Sequence, residues 1–307
     1  MRALLLPLAA VCALAVGFAL AVGAVAGSSS RSNGRLTVVA TTTQVADLAR
    51  QVGGDRVRVR GLLAPNADPH DHEVTPGDVT ALERAAVVVR SGGEVDHWLA
   101  DALDAAGGDA RLVDLSRHVR LDGHDPHWWQ DPRNAVRAVA AIRAALAAAD
   151  PARASAYASA ARAYEHRLRE ADAAIAACWR QVPVAARRLV TTHDSYGYYA
   201  RRFGLAVVGS VIPSLSTRGQ PSARELTELV DAIRAQRIRA VFTERALNAR
   251  VERAVAREAG ATVGRRLWGD TLGRPGTPAA TYLGALEADS RSLLDGLAGR
   301  RVECALP

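Results

Sequence analysis

The chain has 307 residues, 49% hydrophobic and 23% charged, the balance of an ordinary globular protein of about two domains. This excludes a disordered chain; three cysteines exclude a disulfide scaffold, and a single long apolar run excludes a multi-span transporter. The +7 charge comes from arginines alone, scattered among acids, and does not form the basic stripe of a nucleic-acid binder.

Residues 1–26 begin with Met1 and Arg2, run apolar from Ala3, and close on Ala24-Val25-Ala26. That is the pattern of an export signal with a small-residue cleavage site, or of an uncleaved membrane anchor. Cys12 sits inside the apolar run, a poor position for lipid attachment. Residues 27–35 are small and polar and read as a flexible spacer. The protein is therefore expected in the periplasm or on the extracellular face of the membrane. There Cys178 and Cys304 are the pair available for a disulfide, with a buried thiol and a free tail thiol as the alternative.

From Leu36 the chain alternates β-rich and helical runs. Strands are predicted at 36–40, 57–63, 86–90 and 111–115, and helices at 44–52, 76–84, 96–106 and 134–149. Residues 150–179, rich in alanine and arginine, predict one long helix, with Asp150 as cap and Pro151 in its first turn. After Pro183 strands are predicted at 189–192, 206–210, 240–243 and 261–265, and helices at 195–203, 222–236, 248–259 and 278–297. Parallel strands need crossovers, so this alternation implies an α/β fold. It divides into an N-terminal lobe over 36–149, a rigid linker helix over 150–181 and a C-terminal lobe over 182–307, each lobe holding a mostly parallel sheet flanked by helices. No dinucleotide, Walker or GxSxG motif is present, so nothing points to dinucleotide, NTP or acyl-transfer chemistry.

His70 and His127 each close an Asp-Pro-His triplet after a predicted strand, His193 ends a strand, and Asp270 follows one. Ligands of open α/β sheets bind outside the carboxyl ends of the strands. If the two halves face each other, these four residues converge, and three imidazoles with one carboxylate suit a four-coordinate metal such as zinc. Asp68 and Asp125 stand where they can orient the ligands or their loops. Structural histidines at strand ends remain the open alternative on spacing alone.

Residues 66–78, Asn-Ala-Asp-Pro-His-Asp-His-Glu-Val-Thr-Pro-Gly-Asp, resemble the metal-anchoring segment of the periplasmic zinc/manganese-binding proteins of ABC importers, the ZnuA/TroA-like family. Asp125-Pro-His-Trp-Trp-Gln-Asp-Pro132, Thr191-Thr-His-Asp-Ser-Tyr-Gly-Tyr198, Phe242-Thr-Glu244 and Leu267-Trp-Gly-Asp-Thr-Leu272 are similar to its further signatures, in the same order. The resemblance implies two α/β lobes joined by a rigid helix, with one metal in the cleft between them. It implies His70, His127, His193 and Asp270 as ligands, with Glu244 supporting them. Histidine at the third position points to zinc; manganese, for which many members carry Glu there, is the alternative. Arg245 replaces the proline usual beside Glu244, and the long His-rich loop of many zinc-type members is reduced to 118–124, with His124 an auxiliary candidate. The implied function is capture of a divalent metal outside the membrane and delivery to an ABC permease and its ATPase, by a monomer that is not an enzyme. The rival reading is a secreted zinc hydrolase using Glu244 or Glu73 as base; Asp270 in the fourth position and the lack of an HExxH motif count against it. The glycine-rich loop around Asp270 is expected to be the moving part of the site, and His70 and His127 to be braced by their prolines.

Overall fold

The computed structural model describes residues 34–298 together with Val302, Cys304 and Leu306; the expected export signal and most of the spacer lie outside these residues. The first half is built on four parallel strands in the order β2-β1-β3-β4: β1 (Leu36–Ala40), β2 (Val57–Gly61), β3 (Val87–Arg90) and β4 (Arg111–Asp114). Helices cover both faces, so β1 reads as a continuous apolar run. Val38 and Ala40 pack in one core cluster with α1 (Thr43–Gly53) and α4 (Pro132–Ala149). Val39 points the other way, into a second cluster with Leu82 of α2 (Pro76–Glu83) and Leu99 of α3 (Leu99–Ala106).

The second half begins with β5 (Arg188–His193), parallel to β6 (Ala206–Ile212), with α6 (Gly197–Phe203) between them. After α7 (Ala223–Ala235) come β7 (Ala240–Val241), α8 (Arg250–Ala259) and β8 (Thr262–Val263), the two short strands also parallel. The Phe242 N–H donates to the Val190 carbonyl at 2.9 Å, which sets β7 beside β5. The chain closes with α9 (Tyr282–Ala298).

Between the halves runs α5 (Ala154–Arg180), 27 residues and about 40 Å long. Tyr157, Ala161, Tyr164, Leu168, Ala171, Ile175 and Cys178 are buried along it, a stripe of alternating three- and four-residue steps that packs against α1, α4 and α9. The main core is continuous from Val38 through this stripe to Phe242, Leu267 and Leu293. Asp150 does not cap α5. It ends α4, and its carboxylate accepts from Arg153 (2.7 Å) and Tyr157 (2.9 Å) across a 3-10 turn at Pro151–Arg153.

The other departures from prediction are local. The helix expected from 96 starts at Leu99, because the Asp96 carboxylate is taken up by the Thr41 hydroxyl, the Ser91 and Gly92 amides and the Arg90 guanidinium. The strands expected over 240–243 and 261–265 each shrink to two paired residues.

Cys178 at the end of α5 and Cys304, 126 positions further on, are joined as a disulfide with Cα atoms 5.5 Å apart. Closing so long a loop stabilises by about 5 kcal/mol in the chain-entropy model, and by less where the native geometry relaxes. Thiol titration of the unreduced, denatured chain from residue 27 onward is expected to find no free cysteine. Reduction should lower the thermal midpoint; two free thiols would exclude the bridge.

Candidate metal centre

Both Asp-Pro-His triplets fold the same way. The Asp68 carboxylate accepts the His70 N–H at 2.9 Å, and Asp125 accepts the His127 N–H at 3.0 Å. Each aspartate thus turns the backbone onto itself, and the intervening proline has no N–H to compete. The His70 turn follows β2, and Trp98 holds it from behind through an indole N–H to the Pro69 carbonyl (3.1 Å). His127 leads into a 3-10 turn, Trp128–Gln130, after which Asp131 caps α4. His193 is the last residue of β5, and Asp270 lies in the loop between β8 and α9.

These elements bring His70, His127, His193 and Asp270 together, all buried, with one candidate ligand atom from each within 4.8 Å of every other. His193 Nε2 is 3.0 Å and His70 Nε2 3.2 Å from Asp270 Oδ2; His127 Nε2 is 3.6 Å from Asp270 Oδ1 and 3.4 Å from His193 Nε2. Four ligands at 2.0–2.1 Å from a tetrahedral zinc stand about 3.3–3.4 Å apart. The four separations just given lie close to that edge length, and the remaining pairs lie within 4.8 Å.

The remaining ring nitrogens fix the tautomers. His127 Nδ1 is 2.8 Å from Asp125 Oδ1, and His193 Nδ1 is 2.8 Å from Glu244 Oε1. A carboxylate at Nδ1 holds a proton there and turns the Nε2 lone pair inward, the arrangement of a metal-ligating histidine. His70 Nε2 and both Asp270 oxygens are buried, and their polar neighbours are the other members of the cluster. A buried cluster of mutually facing acceptors is chemically suited to receive a cation.

Burial opposes a charge on His193, yet the Glu244 and Asp270 carboxylates beside it lift its pKa well above the ordinary histidine value. Burial likewise works against the Asp270 carboxylate, but His193 and His127 outweigh it and hold its pKa well below the usual range.

The loop carrying Asp270 does not have the freedom its glycines suggest. The Gly269 carbonyl accepts from Trp129 Nε1 (3.0 Å), Gln130 Nε2 (3.1 Å) and Gln44 Nε2 (3.4 Å). The Leu272 N–H donates to the Thr43 hydroxyl at 2.8 Å. On the other side the Gly269 N–H donates to Tyr196, whose hydroxyl donates to Asp289, and Asp289 also accepts the Trp268 N–H. Burial pushes the Asp289 carboxyl up to about 7. Gly269 serves close packing: a Cβ there would stand 2.5 Å from Glu244 Oε2. The expectation of a mobile Asp270 loop is corrected accordingly.

Other candidates lie outside the cluster. His124 is exposed, as is Glu73, and His72 pairs with Asp78 at 3.3 Å against the Trp98 ring. Nothing local to Gln44 and Asp289 marks a role in the sequence, whereas Tyr196 stands within the signature 191–198. Trp129 and Gln130 stand within the second signature, which was the available signal.

The family described as "Zinc-uptake complex component A periplasmic" matches residues 38–296. The manganese-binding lipoprotein MntA of Bacillus subtilis is 31% identical over 277 residues, covering 86% of this chain and 90% of its own. The zinc-binding protein TroA of Treponema pallidum is 27% identical, covering 94% and 97%; the iron-binding protein YfeA of Yersinia pestis is 26% identical, covering 85% and 86%. The solved structure of periplasmic TroA superposes with a TM-score of 0.81 at 25% identity, over 86% of this chain and all of that one (100%). These relatives are described as metal-binding proteins; of the two bases that the hydrolase reading offers, Glu244 is engaged by His193 and Glu73 is exposed outside the cluster. The chain belongs to the periplasmic zinc-uptake component A family, the metal-binding substrate-binding proteins of ABC transporters, and is not an enzyme.

Proposed function

We propose that the protein is exported, binds one zinc ion through His70, His127, His193 and Asp270, and delivers it to an ABC permease. The observation that carries this reading is the set of four buried candidate donors whose ligand atoms all lie within 4.8 Å of one another. The metals named for its relatives differ, zinc, manganese and iron, so kinship alone does not choose among them. The choice of zinc rests on the donor set. Imidazole suits zinc well, whereas manganese favours carboxylate, carbonyl and water oxygens, and only Asp270 supplies oxygen here. The relation to MntA keeps manganese as the alternative.

Titration with each metal, followed by competition between them, is the direct test. The expected result is one tight zinc per chain that manganese does not displace; tighter manganese binding would reverse the assignment. Glu244→Gln should weaken zinc binding by about 10–100-fold, since it loosens the hold on His193 without removing a ligand. Asp270→Ala should cost more than that. Equal affinity in Asp270→Ala and wild type would remove Asp270 from the ligand set.

The pH dependence follows from the state of His193. Its raised pKa means that the metal-free protein holds a proton there through neutral pH, and zinc needs the neutral ring. Binding therefore releases that proton. Affinity should fall as pH falls from about 7 to about 5, by roughly tenfold per unit for each proton displaced. Calorimetry in buffers of different ionisation enthalpy is expected to show at least one proton released per zinc at neutral pH. A buffer-independent heat and a flat affinity would contradict it.

A further inference from the structure

The three imidazoles are not held alike. His127 and His193 each have a carboxylate on Nδ1; among the described residues no carboxylate stands within 4.0 Å of the second ring nitrogen of His70. His70 is placed through its backbone instead, by Asp68 Oδ1. The other oxygen of that carboxylate, Oδ2, accepts the Thr217 hydroxyl at 2.7 Å, and Thr217 comes from the opposite half of the molecule, in the loop between β6 and α7.

That loop is built to reach across. At its near end the Ser214 carbonyl accepts the Asp194 N–H at 3.0 Å, next to His193. The loop then folds back on itself: Ser216 N–H donates to the Ser214 hydroxyl, and a Cβ on Gly219 would stand 2.8 Å from Ile212, a packing that only glycine permits. At its tip Thr217 meets Asp68, and Arg218 meets Asp71 at 3.3 Å. The loop therefore spans the site from the residue after His193 to the turn that carries His70. Among the described residues its polar side-chain contacts on the far side are one half-buried hydrogen bond and one exposed ion pair, the latter contributing little. Asp270, by contrast, is tied by its neighbours to Gln44, Trp129, Gln130, Thr43 and Tyr196.

We propose that Thr217 is a positioning residue for the His70 ligand, and that the β6–α7 loop is a latch whose release frees His70 first and lets the metal out. The proposal rests on the reading of the four-residue cluster as a metal site. In it, His127, His193 and Asp270 form the fixed part of the shell. His70 is the ligand that joins last and leaves first, because the side chains that link its turn to the other half are the Thr217 hydroxyl on Asp68 and the exposed Arg218 on Asp71, with one backbone hydrogen bond, Asn66 N–H to the Leu272 carbonyl at 3.2 Å, two residues ahead of Asp68. An importer's docking surface that pulled the β6–α7 loop aside would weaken binding without disturbing the other three ligands.

The test is the rate at which zinc leaves. Wild type, Thr217→Val and Thr217→Ser are loaded with one equivalent of zinc and mixed rapidly with excess chelator. Losing a hydrogen bond to a charged acceptor should speed dissociation in Thr217→Val by about tenfold. Thr217→Ser, which keeps the hydroxyl, should stay within about twofold of wild type, and the thermal midpoint of metal-free Thr217→Val should match the parent. Dissociation from Thr217→Val at the wild-type rate overturns the latch, as does an equal acceleration in Thr217→Ser. A wild type that takes up neither zinc nor manganese overturns the metal-site reading itself, and the latch with it.

Discussion

The arrangement depends on one constraint: four acceptor groups must be held together out of water with their lone pairs facing inward. The His127 and His193 Nε2 atoms are 3.4 Å apart, and each ring has its proton fixed on the far nitrogen by a carboxylate. With both rings neutral, two such lone pairs repel each other beside the negative charge of Asp270; a proton on His193 relieves this until a metal takes its place. Only a cation turns that repulsion into attraction. The fold must supply the energy that keeps the donors in place without it, and most of the remaining architecture serves that end.

Part of that energy comes from the continuous core. Apolar side chains run unbroken from the first sheet, along the buried stripe of α5, to Phe242 and Leu293. Two independent modules would let the ligands drift apart, because His70 and His127 come from one half and His193 and Asp270 from the other. Trp129 shows the coupling in one side chain: its ring packs against His127, with centroids 5.4 Å apart, and its N–H holds the carbonyl next to Asp270. Burial there aligns a ligand from each half at once.

Much of this was legible in the sequence, because short-range rules govern it. The β/α alternation follows from apolar runs punctuated by Gly, Pro and capping residues, and the strand ends mark where ligands gather. The Asp-Pro-His triplets were visible as repeats, though not the reason for them, which is the turn each aspartate makes with the amide two residues on. What stayed hidden was pairing over long separations. Asp289 sits on α9 with no local mark of its role and supports Trp268 and Tyr196 from there. Thr217 is an ordinary loop threonine until the fold sets it against Asp68, 149 positions away. Glycine-rich composition misled for the same reason: the loop of Asp270 owes its order to donors that arrive from Gln44 and Gln130, which no local pattern around Asp270 encodes.

A binding protein that must also give up its cargo faces a conflict that a structural metal site does not. A shell with every ligand locked would bind tightly and release slowly, since no ligand could withdraw to open a path for the metal. A shell with every ligand loose would pay ordering entropy at each capture. Dividing the roles resolves this. Donors already fixed by buried partners give the incoming ion an electrostatic seat. The donor whose support crosses the molecule through a threonine hydroxyl and an exposed ion pair can then be added or withdrawn at small cost. On the proposed latch, the difference in support between His193, clasped by Glu244 within the core, and His70, placed by its turn, is the physical form of that reversibility.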